Sequence, residues 1–176
     1  MLGTAILLAT VVAGCGSAQP VACGFPGPRQ ECRAPNSGAT VEWREATASH
    51  EHELWLRNHG TTERLLTFDR RVDVLWSPDG AAIAITDYVG SNRADVWVLR
   101  LQSPGQRANV EEAFNRAFGR PLEVYQNGHR YFVAQRWRSG TSLTFSISAY
   151  DAEPGREYEA TFRYDLDGLV RRLELH

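Results

Sequence analysis

Residues 72–101 read VDVLWSPDGAAIAITDYVGSNRADVWVLRL, and their pattern decides the fold class. Val72-Asp73-Val74-Leu75-Trp76 and Ala81–Thr86 carry β-branched and aromatic residues without an internal breaker, so each reads as a strand. Between them stands Ser77-Pro78-Asp79-Gly80. Proline's fixed φ suits the first central position of a type I turn and Asp the second, while Gly takes the left-handed conformation that follows. This is a hairpin closed by a G1 bulge. After a loop holding Gly90, Ser91 and Asn92, a third strand runs from Ala94 to Leu101. In it Val96, Val98 and Arg100 share one face, and Trp97, Leu99 and Leu101 share the other. Apolar residues on both faces predict a strand covered on both sides.

WSPDG followed by an IAIT strand, a GSN loop and DVWVL resembles the repeat of TolB-type bacterial β-propellers, relatives of the WD-repeat family. Glu53–Asn58 and Glu63–Phe68 are similar to that repeat's outer strand and its link to the next blade, so the likeness covers residues 53–101. A propeller closes with roughly 4–8 blades, and its repeats bury their faces only against further copies. A chain of 176 residues is too short for that. The expectation is therefore a mainly β (α+β) protein: an open antiparallel meander with blade-like hairpins, covered by one helix and not closed into a propeller. The resemblance implies binding and not catalysis.

The flanking sequence supplies the rest of the sheet. Val41-Glu42-Trp43-Arg44 alternates apolar with charged, as a half-buried strand does. One helix is expected after Asn109. Asn109 can cap it, Glu112 stands at the capping-box position, and Val110, Ala113, Phe114, Ala117 and Phe118 fall on one face. Gly119 and Pro121 end it. Four strands follow. In Arg130–Arg138, Tyr131, Val133 and Trp137 alternate against Phe132 and Ala134. Leu143, Phe145, Ile147 and Ala149 share a face, as do Tyr158, Ala160, Phe162 and Tyr164, and then Leu169, Leu173 and Leu175.

The N-terminal MLGTAILLATVVAGC is an apolar run too short to cross a bilayer as a helix but suited to a signal-peptide core. Val12-Ala13-Gly14-Cys15 resembles the lipobox of bacterial lipoproteins. That resemblance implies a signal peptide over 1–14, cleavage before Cys15, and acylation of its thiol and new amino group, hence a membrane anchor. Gly16 and Ser17 follow in place of an Asp, which by analogy with Gram-negative sorting favours the outer membrane, facing the periplasm. With Cys15 lipidated, Cys23 and Cys32 are left as a pair around a turn-rich octapeptide. In an oxidising periplasm this pair reads as a disulfide, a metal or redox pair being the alternative. Residues 15–39, rich in Gly, Pro, Ser and Ala, read as a flexible tether, and 40–176 as one mainly-β domain.

Composition excludes several chemistries. Net charge is −2, so no field favours nucleic acid. Every basic side chain is Arg, which rules out Schiff-base lysines and a P-loop lysine. His50 and His52 would share a strand face and, with His59 or His129, could hold zinc or copper; a solvated strand end is the simpler reading. Asp165-Leu166-Asp167-Gly168 begins like a calcium loop but lacks its distal ligands and reads as a hairpin turn. Ser91 lies in a loop and not in a nucleophile elbow. The tryptophans in the expected strands, Trp55, Trp76, Trp97 and Trp137, are expected in the core. No catalytic residue, cofactor or metal ligand is assigned. The functional expectation is an envelope binding module with another envelope protein as its partner; the alternatives are a small envelope hydrolase and a metal-binding lipoprotein.

Overall fold

The Ser77–Gly80 turn closes as its residues require. The Gly80 N–H donates to the Ser77 carbonyl at 2.9 Å, with Gly80 at φ +68°. The buried Ser77 hydroxyl donates to the Asp79 carboxylate at 2.6 Å and accepts from the Ala82 N–H at 2.9 Å. The structure, a computed structural model, describes residues 21–46, 51–103, 105–125, 128–151 and 156–173. Within them the strands are β1 (Ala22–Phe25), β2 (Glu31–Arg33), β3 (Thr40–Glu45), β4 (His52–Asn58), β5 (Thr61–Phe68), β6 (Val72–Trp76), β7 (Ala82–Asp87), β8 (Arg93–Arg100), β9 (Arg107–Asn109), β10 (His129–Ser139), β11 (Ser142–Tyr150), β12 (Glu157–Asp165) and β13 (Val170–Arg172). The helix, α1, spans Val110–Phe118.

The expected mainly-β, open architecture is the one observed, with one α-helix and no closed barrel or propeller among the described residues. It is built from two sheets where the sequence suggested one. A four-stranded antiparallel sheet runs β2-β3-β4-β5, and a nine-stranded sheet runs β1-β6-β7-β8-β10-β11-β12-β13 with β9 also beside β8. The large sheet is mixed, because β10 pairs parallel to the start of β8 at Arg93 and Ala94.

β6, β7 and β8 form the middle layer, covered on both faces as their apolar run demands. Val72, Val74, Trp76, Ile83, Ile85 and Leu99 pack on one side against Val41, Leu54, Leu56, Leu65 and Phe68 of the four-stranded sheet. On the other side Leu75, Ala82, Ala84, Val96 and Val98 meet Phe114 of α1 with Phe132, Phe145 and Phe162 of β10–β12. The alternation Ala82-Ile83-Ala84-Ile85 thus puts large side chains toward one sheet and leaves space for phenylalanines on the other. Each such large side chain, fully buried, contributes about 1.5–3 kcal/mol.

Three details depart from the sequence expectations. The described part of the expected tether, residues 21–39, is integrated into the fold: β1 pairs with β6 and β2 with β3. The Cys23–Cys32 disulfide forms, with the Cα atoms 6.1 Å apart, and therefore staples the large sheet to the small one. Trp137 lies in the same core as Phe132, although strict alternation puts them on opposite faces. A register shift between Ala134 and Arg136 inserts one residue into β10 and flips the remainder of the strand. The Trp137 indole N–H then reaches the Leu75 carbonyl at 2.9 Å, carrying β10 across the middle layer. Last, Val170 and not Leu169 is the buried residue of β13, because β13 begins opposite Tyr164 at Val170 and the turn before it consumes Leu169.

α1 forms as expected. The Asn109 side chain accepts from the Glu112 N–H at 3.0 Å, and Gly119 closes the helix at φ +70°. Val110, Ala113 and Phe114 are buried. Phe118 remains partly exposed, with its ring 5.4 Å from that of Phe162.

Candidate functional site

Of the residues singled out by sequence, Cys15 and His50 lie outside the described residues. His52 is held between the rings of Trp43 and Phe68, each 5.2 Å away, and its Nδ1 is buried without a hydrogen bond. His59 occupies the β4–β5 turn at φ 44°, as a type I′ hairpin requires. Six residues of β4 separate His52 from His59, which places them about 20 Å apart. His129 belongs to the other sheet. Among the described residues no group of three His, Cys, Asp or Glu side chains is placed to hold a metal. Asp165–Gly168 is a hairpin turn, with the Gly168 N–H on the Asp165 carbonyl at 2.8 Å. Ser91 offers its backbone carbonyl to the Tyr131 hydroxyl. Trp76 and Trp137 are core residues; Trp55 and Trp97 are half-buried, and Trp55 lies under the Arg44 guanidinium.

What the structure brings together is a set of charged and aromatic side chains at one end of the middle layer, where β7 ends and β8, β10 begin. The β7–β8 register places Asp87 directly opposite Asp95. Asp95, only 6% exposed, accepts from the Arg93 Nε at 2.9 Å. Arg93 also approaches Glu111 of α1 at 3.5 Å, and Glu111 is held at 2.8 Å by Arg130 of β10. Three elements are thereby joined by alternating charges. Asp87 is not among these pairs. Burial, then the like charges of Asp95 and Asp69, push its carboxyl up to about 6.

The loop that caps this end, residues 88–92, is pinned along its length. The Tyr88 hydroxyl donates to Asp73 at 3.1 Å, and burial followed by the Asp73 charge raises its pKa. The Gly90 N–H bonds the Arg93 carbonyl, and the Arg130 N–H bonds the Asn92 carbonyl at 2.9 Å. The pinned loop presents Val89, 52% exposed. Beside it, His129 stacks on Tyr150 with centroids 4.4 Å apart and planes 9° from parallel, while its Nδ1 meets the Tyr131 hydroxyl at 2.8 Å. Tyr150 is exposed. A rigid loop with an apolar tip and a neighbouring aromatic platform can serve as a contact surface. Among the described residues no serine hydroxyl is hydrogen-bonded to a histidine ring.

The sequence did carry a signal for the Asp pair, which went unread. Asp87 and Asp95 are equidistant from Ser91, so a hairpin centred on Ser91 must set them face to face. The ion-pair chain through Glu111 had no such signal, because it depends on where α1 docks.

No protein-family model matches the chain, and no curated protein matches it at a significant level. Among solved structures the chain is similar to TolB from Acinetobacter baumannii, with a TM-score of 0.38 and 17% identity over 83% of this chain. The similar region spans 30% of that chain.

Proposed function

We propose that this chain is a lipid-anchored cell-envelope protein acting as an interaction module, with the end of the middle layer around Val89 as its contact surface. The observation that carries the reading is the pinned loop. Its apolar tip is held in place before any partner arrives, so little ordering entropy opposes association. Exposed Tyr150 supplies an aromatic anchor of the type that dominates contact energies.

The address rests on two features. The Val12–Cys15 sequence supports acylation at Cys15. The Cys23–Cys32 disulfide fits an oxidising compartment such as the periplasm. From Cys15 to Val21, the first described residue, the chain reaches at most about 20 Å, so the module would sit close to its membrane.

The test is in-cell cross-linking followed by identification of the captured proteins, comparing wild type with a Val89→Asp, Tyr150→Ser double variant. A partner captured by wild type and lost from the double variant supports the surface. Equal capture by both refutes it. Palmitate labelling checks the anchor separately: label on wild type and none on Cys15→Ala is expected, and an unlabelled wild type overturns it.

A further inference from the structure

Asp87 is the last residue of β7 before the loop 88–92. In the sheet it stands between Val72 of β6 and Asp95 of β8. Alternation puts its side chain on the face of Ile83 and Ile85, which are fully buried against the four-stranded sheet. Val72 is buried and apolar, and Asp95 is itself a buried carboxylate, so neither neighbour offers Asp87 a donor.

The surroundings supply further negative charge and no compensating cation. Asp95 faces Asp87 directly, and Asp69 of the β5–β6 connection adds a second like charge. The arginines at this end have other partners. Arg93 holds Asp95 and Glu111, Arg130 holds Glu111, and Arg71 holds Asp73 and lies over the Tyr88 ring. Arg70, exposed, acts on the Tyr131 hydroxyl. β10 meets β7 at Thr86, where the Ala134 N–H donates to the threonine hydroxyl, on the face opposite Asp87. The Asp87 carboxyl has no hydrogen bond and no ion pair among the described residues. Like charges directly opposite in an antiparallel pair destabilise it, and burial weakens their screening by water. Burial and these two charges hold the carboxyl up at about 6. Protonation removes the repulsion. Ionisation is relieved only when the strand ends part and water reaches the charge.

The loop is fastened at the same place. The Tyr88 N–H bonds the Arg71 carbonyl at 3.0 Å, across β7 and β6 and close in sequence to Asp69. The Gly90 N–H bonds the Arg93 carbonyl at 3.2 Å, across the β7–β8 hairpin and close in sequence to Asp95. The Val89 tip lies between these two bonds.

We propose that Asp87 is a proton-operated switch on the Val89 contact surface: protonated, it leaves the loop held in its binding form; ionised, it repels Asp95 and Asp69 and loosens the loop. The inference rests on the reading of this end as a contact surface. Association there is then stronger in acid, where the tip is held, than near neutrality.

The experiment is amide hydrogen exchange on the full chain alone, at pH 5.0 and pH 7.5, corrected for intrinsic exchange rates. The Tyr88 and Gly90 amides report opening of the loop, and those of β11 and β12 report the rest of the fold. In wild type, opening at Tyr88 and Gly90 relative to β11 and β12 should be about fivefold more frequent at pH 7.5, the full shift being discounted for partial exposure. Asp87→Asn, which carries no ionisable group, should show the same low opening at both values. Asp69→Asn, at an exposed position, should show a smaller rise than wild type, and it carries the test should Asp87→Asn fail to fold. The proposal is overturned if wild-type opening does not rise with pH, if Asp87→Asn keeps the rise, or if Asp69→Asn rises as much as wild type. Exchange is read without a partner, so failure of the switch shows here. Failure of the contact surface shows instead as equal cross-linking of wild type and the Val89→Asp, Tyr150→Ser variant.

Discussion

The two faces of the middle layer are closed by different means. Toward the four-stranded sheet, Ile83, Ile85, Val74 and Trp76 interleave with Val41, Leu54 and Leu56, and the Cys23–Cys32 disulfide ties the two sheets together at β1 and β2. Toward α1, Ala82 and Ala84 face a cluster of phenylalanines, with Phe114 5.1 Å from Phe162 and 5.8 Å from Phe132. The first contact joins two extended surfaces. The second brings a helix and a bulged strand over small residues and leaves a cavity at its end. One strand pair serves both because its two side-chain rows differ in volume, and close packing demands that the opposing surface differ in the inverse sense.

That contrast can be tested by removing volume from each side. Trp76→Ala should cost about 3–5 kcal/mol, the largest effect expected, because it empties a fully buried site and strands the Cys32 carbonyl that the indole N–H reaches at 3.3 Å. Phe114→Ala, measured by the same urea unfolding, should cost less within that range if the helix can settle toward the sheet. Equal or greater loss at Phe114 would show that the helix side is the more rigid of the two. Next comes the staple. Reduction of Cys23–Cys32, or its replacement by serines, should lower stability by about 2–3 kcal/mol on the chain-entropy account. Hydrogen exchange should then speed up in β1 and β2 first and leave β10–β12 protected.

Asp87 gives a smaller, pH-dependent effect. Its carboxyl is raised in the folded state from 3.8 to about 6, so below about pH 4 both states are protonated and stability is unaffected. Between about pH 4 and 6 the unfolded chain is ionised while the folded one stays protonated, so stability falls as pH rises, and the loss is complete above about 6. With allowance for partial exposure the loss is about 1 kcal/mol. Asp87→Asn should remove this slope and stabilise the protein at pH 7.5 but not at pH 4, by thermal unfolding; an unchanged slope would mean that another group sets it. The smallest effect expected is Asn109→Ala, about 1 kcal/mol or less from the lost cap to the Glu112 N–H, seen as faster exchange in the first turn of α1.

The turn at Ser77–Gly80 illustrates how far sequence reasoning reaches. The need for glycine at position 80 follows from its left-handed φ, and that much is local. A Cβ there would also come within 1.9 Å of the Pro35 carbonyl oxygen, and one on Gly140 within 2.0 Å of the Asp79 carboxylate. Those two contacts wedge the hairpin between the β2–β3 connection and the β10–β11 turn, and neither could be read from spacing. The alternation in β11 and the caps of α1 were equally legible, because period and capping are set within a few residues. The bulge in β10 was not. Gln135 differs from its neighbours in nothing that signals an extra residue, and the bulge brings Trp137 over Leu75 of a strand distant in the chain.

The candidate sites were less legible than the fold. Asp87 and Asp95 were visible as a symmetric pair, but their partners Arg93, Glu111 and Arg130 come from a strand, a helix and a second strand. Sequence by itself determined the strands β3–β8 and β10–β13, the hairpin at Ser77–Gly80, the helix with its caps, and the two apolar faces of β8. These follow from backbone conformation and side-chain alternation, whose range is a few residues. Tertiary structure alone decided that residues 21–39 join the sheets, that β10 runs parallel to β8 and then bulges, and which charged groups are left without partners. These outcomes depend on the fit of side-chain volumes and charges between segments far apart in the chain.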